Sequence, residues 1–240
     1  MAVSRFLEEE KVSMPLAVLA VVFVILALVF TLSGLFSAAT LQVGVAVGSL
    51  GLVVFFGILA AVFQFLVLYQ WARAVNRNVQ NTRDVFQGLR ERLEDPLRGE
   101  IGFFINRTEE FVIQMWPFWL YLVFYIVGLF TGLYSILFNI LAFIFLAVYL
   151  HYIFRSTGKL SDLKDRLYQY LGDKHNVRLG GRVFRIPRRN IILFIILSII
   201  TFAIYWLYLL IKLSGEINQY LTTDEALRRD VEEALSKVST

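Results

Sequence analysis

Long apolar stretches alternate with polar stretches along the chain, and each apolar stretch is about as long as a helix that crosses a bilayer. A helical span needs roughly 20 mainly apolar residues. Residues 14–36 and 41–68 meet this requirement without a charged side chain, and residues 111–154 are long enough for two spans. Residues 191–211 supply a fifth. The pattern therefore predicts an all-α, polytopic membrane protein with two transmembrane hairpins plus a fifth span.

The ends of these stretches carry further information. Residues 14–36 are too long for the apolar core of a signal peptide, which runs to about 7–15 residues, and the preceding segment is acidic at Glu8, Glu9 and Glu10. We therefore interpret this stretch as a retained span. Within residues 111–154 the turn is expected near Gly128 and Gly132, because glycine allows a tight turn.

Composition excludes several classes of protein. Apolar residues make up 58% of the chain, charged residues only 18%, and the mean hydropathy is +0.67. A soluble domain has about 45–50% apolar residues. The absence of cysteine and the presence of only two histidines argue against disulfides, metals and other cofactors. A net charge of +4 is too small to indicate nucleic-acid binding.

The distribution of basic residues predicts the orientation. Two lie before the first span, seven in residues 69–110, ten in residues 155–190 and four after the fifth span, while the hairpin turns contain none. The positive-inside rule then places the N-terminus and the loops 71–110 and 155–190 in the cytoplasm. Counting five spans, the C-terminus lies outside.

The cytoplasmic segments have amphipathic patterns. A heptad-like stripe predicts that helix 71–95 continues from the second span, and an apolar cluster before the third span is expected at the headgroup level. Two alternating runs around Gly180 and Gly181 predict a short β-hairpin over residues 177–186. A capping box from Thr222 to Glu225 begins an amphipathic helix over 223–238.

These patterns divide the chain into six segments. They are an N-terminal transmembrane hairpin (1–70), a cytoplasmic helix with an interfacial segment (71–110), a second transmembrane hairpin (111–154), a basic cytoplasmic segment (155–190), a fifth span (191–211) and a C-terminal amphipathic helix (212–240).

Candidate site residues fall into three groups. Small residues in the second span favour close helix packing, either on Ser33 and Gly34 or on another subunit. Arginines before the fifth span would lie near anionic headgroups, as an ordinary anchor or as a specific lipid site. A few polar residues lie in the spans, where interhelical hydrogen bonds are the favoured role. The three sets are Gly44, Gly48, Gly51 and Gly57; Arg182, Arg185, Arg188 and Arg189; and Gln64, Asn139 and His151.

At the ends of three spans, the apolar sequence is followed by aromatic and then polar residues. These regions are residues 68–76, 148–155 and 204–212. This similarity indicates an internal repeat, or else the shared composition of a membrane interface. The third of these regions also resembles a known family, through Thr201, Ile204, Tyr205 and Tyr208.

The resemblance is to small integral-membrane domains of unknown function with a T-x-G-I-Y-x-x-Y-W-like span and an E-I-N-like exit. It covers residues 190–221, with Ala203 in place of the usual glycine, Trp206 displaced from the usual tryptophan position, and Glu216 to Asn218 at the exit. It implies a membrane location and no chemistry. The family's polar exit has a cytoplasmic character, which conflicts with the five-span count.

No ionisable Asp, Glu, Lys or Arg lies inside the spans, and no catalytic motif is present. We therefore expect a non-enzymatic protein: a structural or accessory subunit of a membrane complex, or a membrane-organising scaffold. Its expected partners are the bilayer, anionic headgroups, and another protein or a second copy that docks on helices 71–95 and 223–238. The alternative is a small oligomeric channel or facilitator lined by polar residues such as Gln64 and Asn139.

Overall fold

The computed structural model describes residues 8–91, 97–175 and 179–238. These residues form seven α-helices and one short 3-10 helix, Gly132–Tyr134, and the described part of the chain contains no strand. The α-helices are α1 (Met14–Ala39), α2 (Val43–Arg90), α3 (Leu97–Glu109), α4 (Trp116–Phe130), α5 (Ser135–His175), α6 (Ile191–Ile200) and α7 (Ile204–Val238).

Helices α1 and α2 form the predicted first hairpin, here called hairpin 1. Phenylalanine rings stack between the two helices. The centre of the Phe23 ring lies 5.9 Å from that of Phe56 and 5.4 Å from that of Phe63. The outer faces are exposed and apolar, which suits a helix pair surrounded by lipid. Helix α2 continues well beyond its apolar part, as the stripe over 71–95 predicts, and residues 92–95 lie outside the described residues.

Hairpin 2 consists of α4 and α5, and its turn falls where glycine predicts it. Helix α4 has 15 residues and ends at Phe130, and Gly132 adopts a left-handed conformation with φ of 52°. Helix α5 has 41 residues and, like α2, runs out of the apolar region into a long polar half. The two long helices α2 and α5 thus carry the polar parts of the protein.

The fifth stretch, residues 191–211, is not one span, and the five-span count is not supported. Helix α6 ends after 10 residues, and the chain turns back at Phe202 and Ala203, both with positive φ (48° and 65°), into α7. The stretch has no glycine or proline, and ordinary residues adopt the left-handed conformation at its turn. The polar half of α7 packs beside the polar half of α2 and residues 8–13. The C-terminal helix therefore lies on the same side as those segments, where five-span counting placed it on the opposite side.

The three hairpins (the third being α6 and α7) share one turn design. Each first helix ends on a threonine with φ near −95°, namely Thr40, Thr131 and Thr201. A residue with positive φ follows each threonine: Leu41, Gly132 and Phe202. In hairpins 1 and 3 the threonine hydroxyl also donates to the carbonyl four residues back. Such left-handed endings satisfy the last free carbonyls of a helix.

The segment that enters each hairpin is also held in a common way. The three lead-in segments are residues 8–13, 111–115 and 179–190, and each buries a β-branched residue: Val12, Ile113 and Ile186. A polar side chain from a long helix binds the backbone of each. Val12 exchanges two hydrogen bonds with the Asn218 amide, Ile113 exchanges two with the Asn76 amide, and the Ile186 N–H donates to Ser161 Oγ.

These contacts join the hairpins in a ring. Helix α2 of hairpin 1 holds the lead-in of hairpin 2, α5 of hairpin 2 holds the lead-in of hairpin 3, and α7 of hairpin 3 holds the lead-in of hairpin 1. The long helices α2, α5 and α7 also contact one another in pairs. One plan of lead-in, membrane helix, threonine turn and long exit helix therefore occurs three times.

The β-hairpin predicted over residues 177–186 is not supported, and its first two residues lie outside the described residues. Residues 179–186 have no regular secondary structure, and helix side chains bind some of their backbone groups. The Gly180 N–H donates to Asp230 Oδ2, and the Phe184 N–H donates to Thr223 Oγ1. The alternating apolar residues serve instead to pack this lead-in on α5 and α7, with Val183 buried.

Three of the described helices, α1, α2 and α5, are long and apolar enough to cross a membrane. Helix α4 measures about 22 Å and α6 about 15 Å at the usual 1.5 Å per residue. The hydrocarbon core of a bilayer is about 30 Å thick. By length alone, the three hairpins thus differ in depth, and the third is the shallowest.

Candidate functional site

A cluster of buried polar side chains, here called the polar core, lies where the long helices meet. Its centre is Lys164 of α5, whose side chain is 0% exposed. The Lys164 ammonium donates to Asn78 Oδ1 at 2.7 Å, Thr82 Oγ1 at 2.5 Å and Asp224 Oδ2 at 2.6 Å. All three donors of the lysine are therefore used, and they connect α5 to both α2 and α7.

Asp224 of α7 gathers donors from the other two helices, α2 and α5. In addition to Lys164, its carboxylate accepts from Asn78 Nδ2 at 2.7 Å and from the Tyr168 hydroxyl at 2.8 Å. Tyr220 completes this part by donating to Asn78 Oδ1 at 2.8 Å. Removal of Asp224 would leave the buried Tyr168 hydroxyl without its hydrogen bond, and removal of Asn78 would do the same to the Tyr220 hydroxyl.

A second ion pair extends the polar core to the N-terminal lead-in. Arg228 of α7 pairs with Glu9, and its Nε atom lies 3.1 Å from Asp224 Oδ2. Asn78 and Asn81 also donate to Glu9 Oε1. Two buried oxygens here, Glu9 Oε2 and Asn81 Oδ1, have no hydrogen-bond partner. A buried water is the usual way in which such atoms are satisfied.

Burial and charge act against each other in the polar core. Burial lowers the pKa of the Lys164 ammonium, while the charge and hydrogen bond of Asp224 oppose that shift. Burial also raises the pKa of the Tyr168 and Tyr220 hydroxyls, so both remain protonated donors. The pKa of Arg228 falls to about 10, chiefly through burial, which leaves its guanidinium charged at neutral pH.

The polar core holds two cations and two anions, so its charges balance. A substrate from solution has no access to Lys164 or Asp224, since both side chains are fully buried. The arrangement can therefore fix the relative positions of three helices and the N-terminal lead-in, because its buried ion pairs and hydrogen bonds connect side chains from all four. Metal-ligand residues do not form a group of three within residues 8–91, 97–175 and 179–238.

Sequence reasoning missed the polar core, although one signal was present. Lys164 stands four residues after Leu160 and four before Tyr168, which places it on the apolar stripe of a helix. Asn78 and Thr82 similarly lie on the predicted stripe of α2 or next to it. Polar residues on such a stripe indicate partners elsewhere in the chain, but their spacing does not identify those partners.

The predicted polar residues of the spans are not brought together. Gln64 forms interhelical hydrogen bonds, donating to the Tyr121 hydroxyl at 2.9 Å and accepting from Trp206 Nε1 at 3.2 Å. Asn139 is exposed, and its amide lies against Gly128, about 10 Å further along α4 than Tyr121. His151 is exposed beside Tyr152. Gln64 and Asn139 therefore do not line one path.

The predicted glycines of α2 are not the points of closest approach between α1 and α2. A side chain added at Gly44, Gly48, Gly51 or Gly57 would meet no atom of the described chain within 4 Å. The close approach in hairpin 1 is instead at Gly34, where an added Cβ would lie 3.2 Å from Ser49 Cβ. The alternative, contact with another subunit, stays a prediction.

The four arginines predicted to face headgroups differ in their surroundings. Arg185 and Arg188 both pair with Asp162 of α5, and Arg189 pairs with Glu216 at 2.5 Å and is largely buried. Arg182 is exposed and makes no ion pair with the residues described. The first three therefore fasten the third lead-in to α5 and α7.

The Asp162 carboxyl is a second point where burial and charge compete. Burial raises its pKa, but the hydrogen bonds and charges of Arg185 and Arg188 outweigh this, so the net pKa lies below 3.8. The Arg188 side chain also packs closely on Gly158, where an added Cβ would lie 3.2 Å from Arg188 Cγ. Asp162 thus remains ionised and holds the lead-in at neutral pH.

Both predicted docking faces are used inside the chain. The stripe of α2 is buried at Trp71, Val75, Val79 and Phe86, and Leu227 and Val231 of α7 are buried as well. Trp71 Nε1 donates to Ser214 Oγ at 2.8 Å, which joins the two helices directly. Docking of a partner on these helices would therefore use their outer, polar faces.

These features describe a helical membrane protein of three hairpins, fastened at their polar ends by a buried charged network. Residues 189–236 match DUF4234, a domain of unknown function. No curated protein and no solved structure matches the chain. The match begins at the end of the third lead-in and covers α6 and nearly all of α7, so it corresponds to a single hairpin unit, the region that resembled such a family in sequence.

Proposed function

We propose that this chain is a non-enzymatic membrane-organising scaffold, which holds three hairpins of unequal depth in one fixed arrangement. The observation that carries the proposal is the ring of lead-in contacts, closed by the Asn218 amide on Val12. A ring closed through the backbone and reinforced by buried ion pairs resists independent movement of the hairpins. Such rigidity suits a protein whose task is to impose a shape on its surroundings.

The unequal depths suggest what the scaffold does. All three hairpins enter and return on the side of the polar core, and by length α6 reaches about half of the hydrocarbon thickness. More protein volume is then inserted in the leaflet next to the polar core than in the opposite leaflet. The basic residues near this side support a cytoplasmic location for it. An excess of volume in one leaflet favours curvature.

Reconstitution at increasing protein-to-lipid ratio tests this function. We expect the mean diameter of the vesicles, measured by cryo-electron microscopy, to fall as the ratio rises. The control is a variant in which α6 is lengthened by ten leucine and alanine residues, which should reverse the effect. Vesicles of unchanged diameter would overturn the proposal.

The same vesicles test the channel alternative. Release of trapped potassium ions or of a small dye should equal that of protein-free vesicles, because Gln64 and Asn139 lie apart. Flux that rises with the protein content would favour the channel. Purification in mild detergent addresses the accessory role, since a stoichiometric partner would support that function over a self-sufficient scaffold.

A further inference from the structure

A basic pocket lies between α3, α5 and the third lead-in, apart from the polar core. It has a volume of about 450 Å³, which is within the usual range for small-ligand sites. Its lining combines aromatic and leucine side chains with five basic and two acidic ones. They are Phe103, Phe104, Phe111 and Leu163; Arg107, Arg155, Lys159, Arg166 and Arg188; and Glu110 and Asp162.

The cations of this pocket are not neutralised equally. Asp162 is already engaged by Arg185 and Arg188. Arg155, Lys159 and Arg166 are exposed and form no ion pair with any residue of the described ranges. The pocket therefore keeps a net positive charge after its internal pairs have been made.

The three unpaired cations form a column on one face of α5. Their spacing of four and seven residues repeats at the helical period, so they point in a similar direction. The column rises about 16 Å from Arg155 to Arg166. This length exceeds one phosphate group and suits a headgroup that carries more than one.

The position of the pocket indicates where its ligand comes from. Arg155 is the first charged residue after the apolar stretch 111–154, and Phe111 is its first residue. Arg188 lies just before α6. Three elements thus bring the pocket to the boundary of their apolar segments, where lipid phosphates are found. The Arg107 guanidinium lies 5.7 Å from the centre of the Phe103 ring, so a cation and an aromatic ring contact each other at this boundary.

We propose that this pocket binds the headgroup of an anionic phospholipid with more than one phosphate. One phosphate lies between Arg155 and Lys159, a second lies toward Arg166, and the acyl chains leave past Phe111 into the bilayer. Basic pockets between membrane helices are known to accept such headgroups. The cations assigned to the phosphates belong to α5, whereas Arg188 of the lead-in lines the pocket but is paired with Asp162.

Titration of the full-length protein in neutral detergent with fluorescent cardiolipin, which has two phosphates, tests the proposal. The pocket variant replaces Arg155, Lys159 and Arg166 by glutamine. The matched control replaces Lys11, Arg77 and Arg98 by glutamine, and so removes the same number of arginines and lysines from exposed positions outside the pocket. Circular dichroism and thermal unfolding verify that both variants fold, and the single variant Arg155→Gln is measured if the triple variant does not.

We expect wild-type protein to bind cardiolipin at least tenfold more tightly than fluorescent phosphatidylcholine. The pocket variant should lose roughly a hundredfold in affinity, and the control variant less than threefold. Equal losses in the two variants, or no loss in the pocket variant, would overturn the proposal. Sodium pyrophosphate distinguishes a lipid from a soluble phosphate: displacement of cardiolipin by millimolar pyrophosphate would refute the lipid source.

Discussion

The buried pair of Lys164 and Asp224 makes the sharpest prediction about stability. Both side chains are fully buried, and the lysine uses all its donors on Asn78, Thr82 and Asp224. Removing one partner of a buried ion pair costs about 3–5 kcal/mol, because the other charge is left without compensation. The structure further predicts that the two partners are not equivalent.

Asp224 has a second cation nearby, since Arg228 Nε lies 3.1 Å from Oδ2, and it keeps the Tyr168 and Asn78 donors. The hydrogen-bond partners of the Lys164 ammonium include one carboxylate, that of Asp224. We therefore expect Lys164→Met to lower the free energy of unfolding by about 3 kcal/mol and Asp224→Asn by about 5 kcal/mol. In the double variant, the amide introduced in place of the Asp224 carboxylate still accepts hydrogen bonds and no lysine is left uncompensated. The losses should therefore fall short of additivity by about 2 kcal/mol.

Thermal unfolding in mild detergent, followed by the fluorescence of buried Trp71, measures these effects. A loss of 3 kcal/mol corresponds to a fall in Tm of about 6–12 °C for a chain of this size. Lys159→Met, on the exposed face of the same helix, is the control and should change Tm by less than about 2 °C. Additive losses in the double variant, or a Lys164→Met variant as stable as wild type, would refute the reasoning.

Three further predictions concern single positions. Ala203→Gly should stabilise the protein by about 1 kcal/mol in thermal unfolding, since φ of 65° is strained for alanine but free for glycine; a lower Tm would contradict this. Gly34→Leu should lower the free energy of unfolding by about 1–3 kcal/mol, because the new side chain meets α2. Gly48→Leu should change the free energy of unfolding by less than about 0.5 kcal/mol. Equal effects of the two substitutions would disprove the assigned packing. The pKa of Asp162 is lowered by folding, so its stabilisation is complete above pH 3.8 and lost as pH falls through the folded pKa. The protection of the Ile186 amide from exchange, relative to its intrinsic rate at each pH, should therefore fall in acid, and Asp162→Asn should abolish that pH dependence. An unchanged profile would contradict it.

Much of the fold follows from hydrophobic pattern alone. The apolar stretches predicted both helices of hairpin 1, and glycine predicted the turn of hairpin 2, which the structure places at Gly132. The stripe of α2 predicted a long continuous helix. These features depend on local periodicity, which each segment carries in its own sequence.

The failures have a common physical cause. The turn at Phe202 depends on strained backbone angles, and the irregular lead-in at residues 179–190 depends on hydrogen bonds to distant side chains. Hydrophobic pattern records neither. The residues 198–203 contain neither glycine nor proline. A helix-ending threonine and its hydrogen bond to Leu197 are weak local signals, because threonine also occurs inside membrane helices. The alternating apolar residues that predicted strands over 177–186 reflect a different structure, in which Val183 and Ile186 are buried against helices.

The repetition of one plan explains why a family match covers only the third unit. Each unit needs few chemically defined positions: a side chain that binds a lead-in backbone, a threonine before the turn, and a residue that tolerates positive φ. Asn76, Asn218 and Ser161 perform the first task with different side chains, and Leu41, Gly132 and Phe202 the third. The remaining positions need only be apolar, so the three sequences can differ greatly while the geometry stays the same. The ring constrains the three units together, because the long helix of each hairpin binds the lead-in of the next.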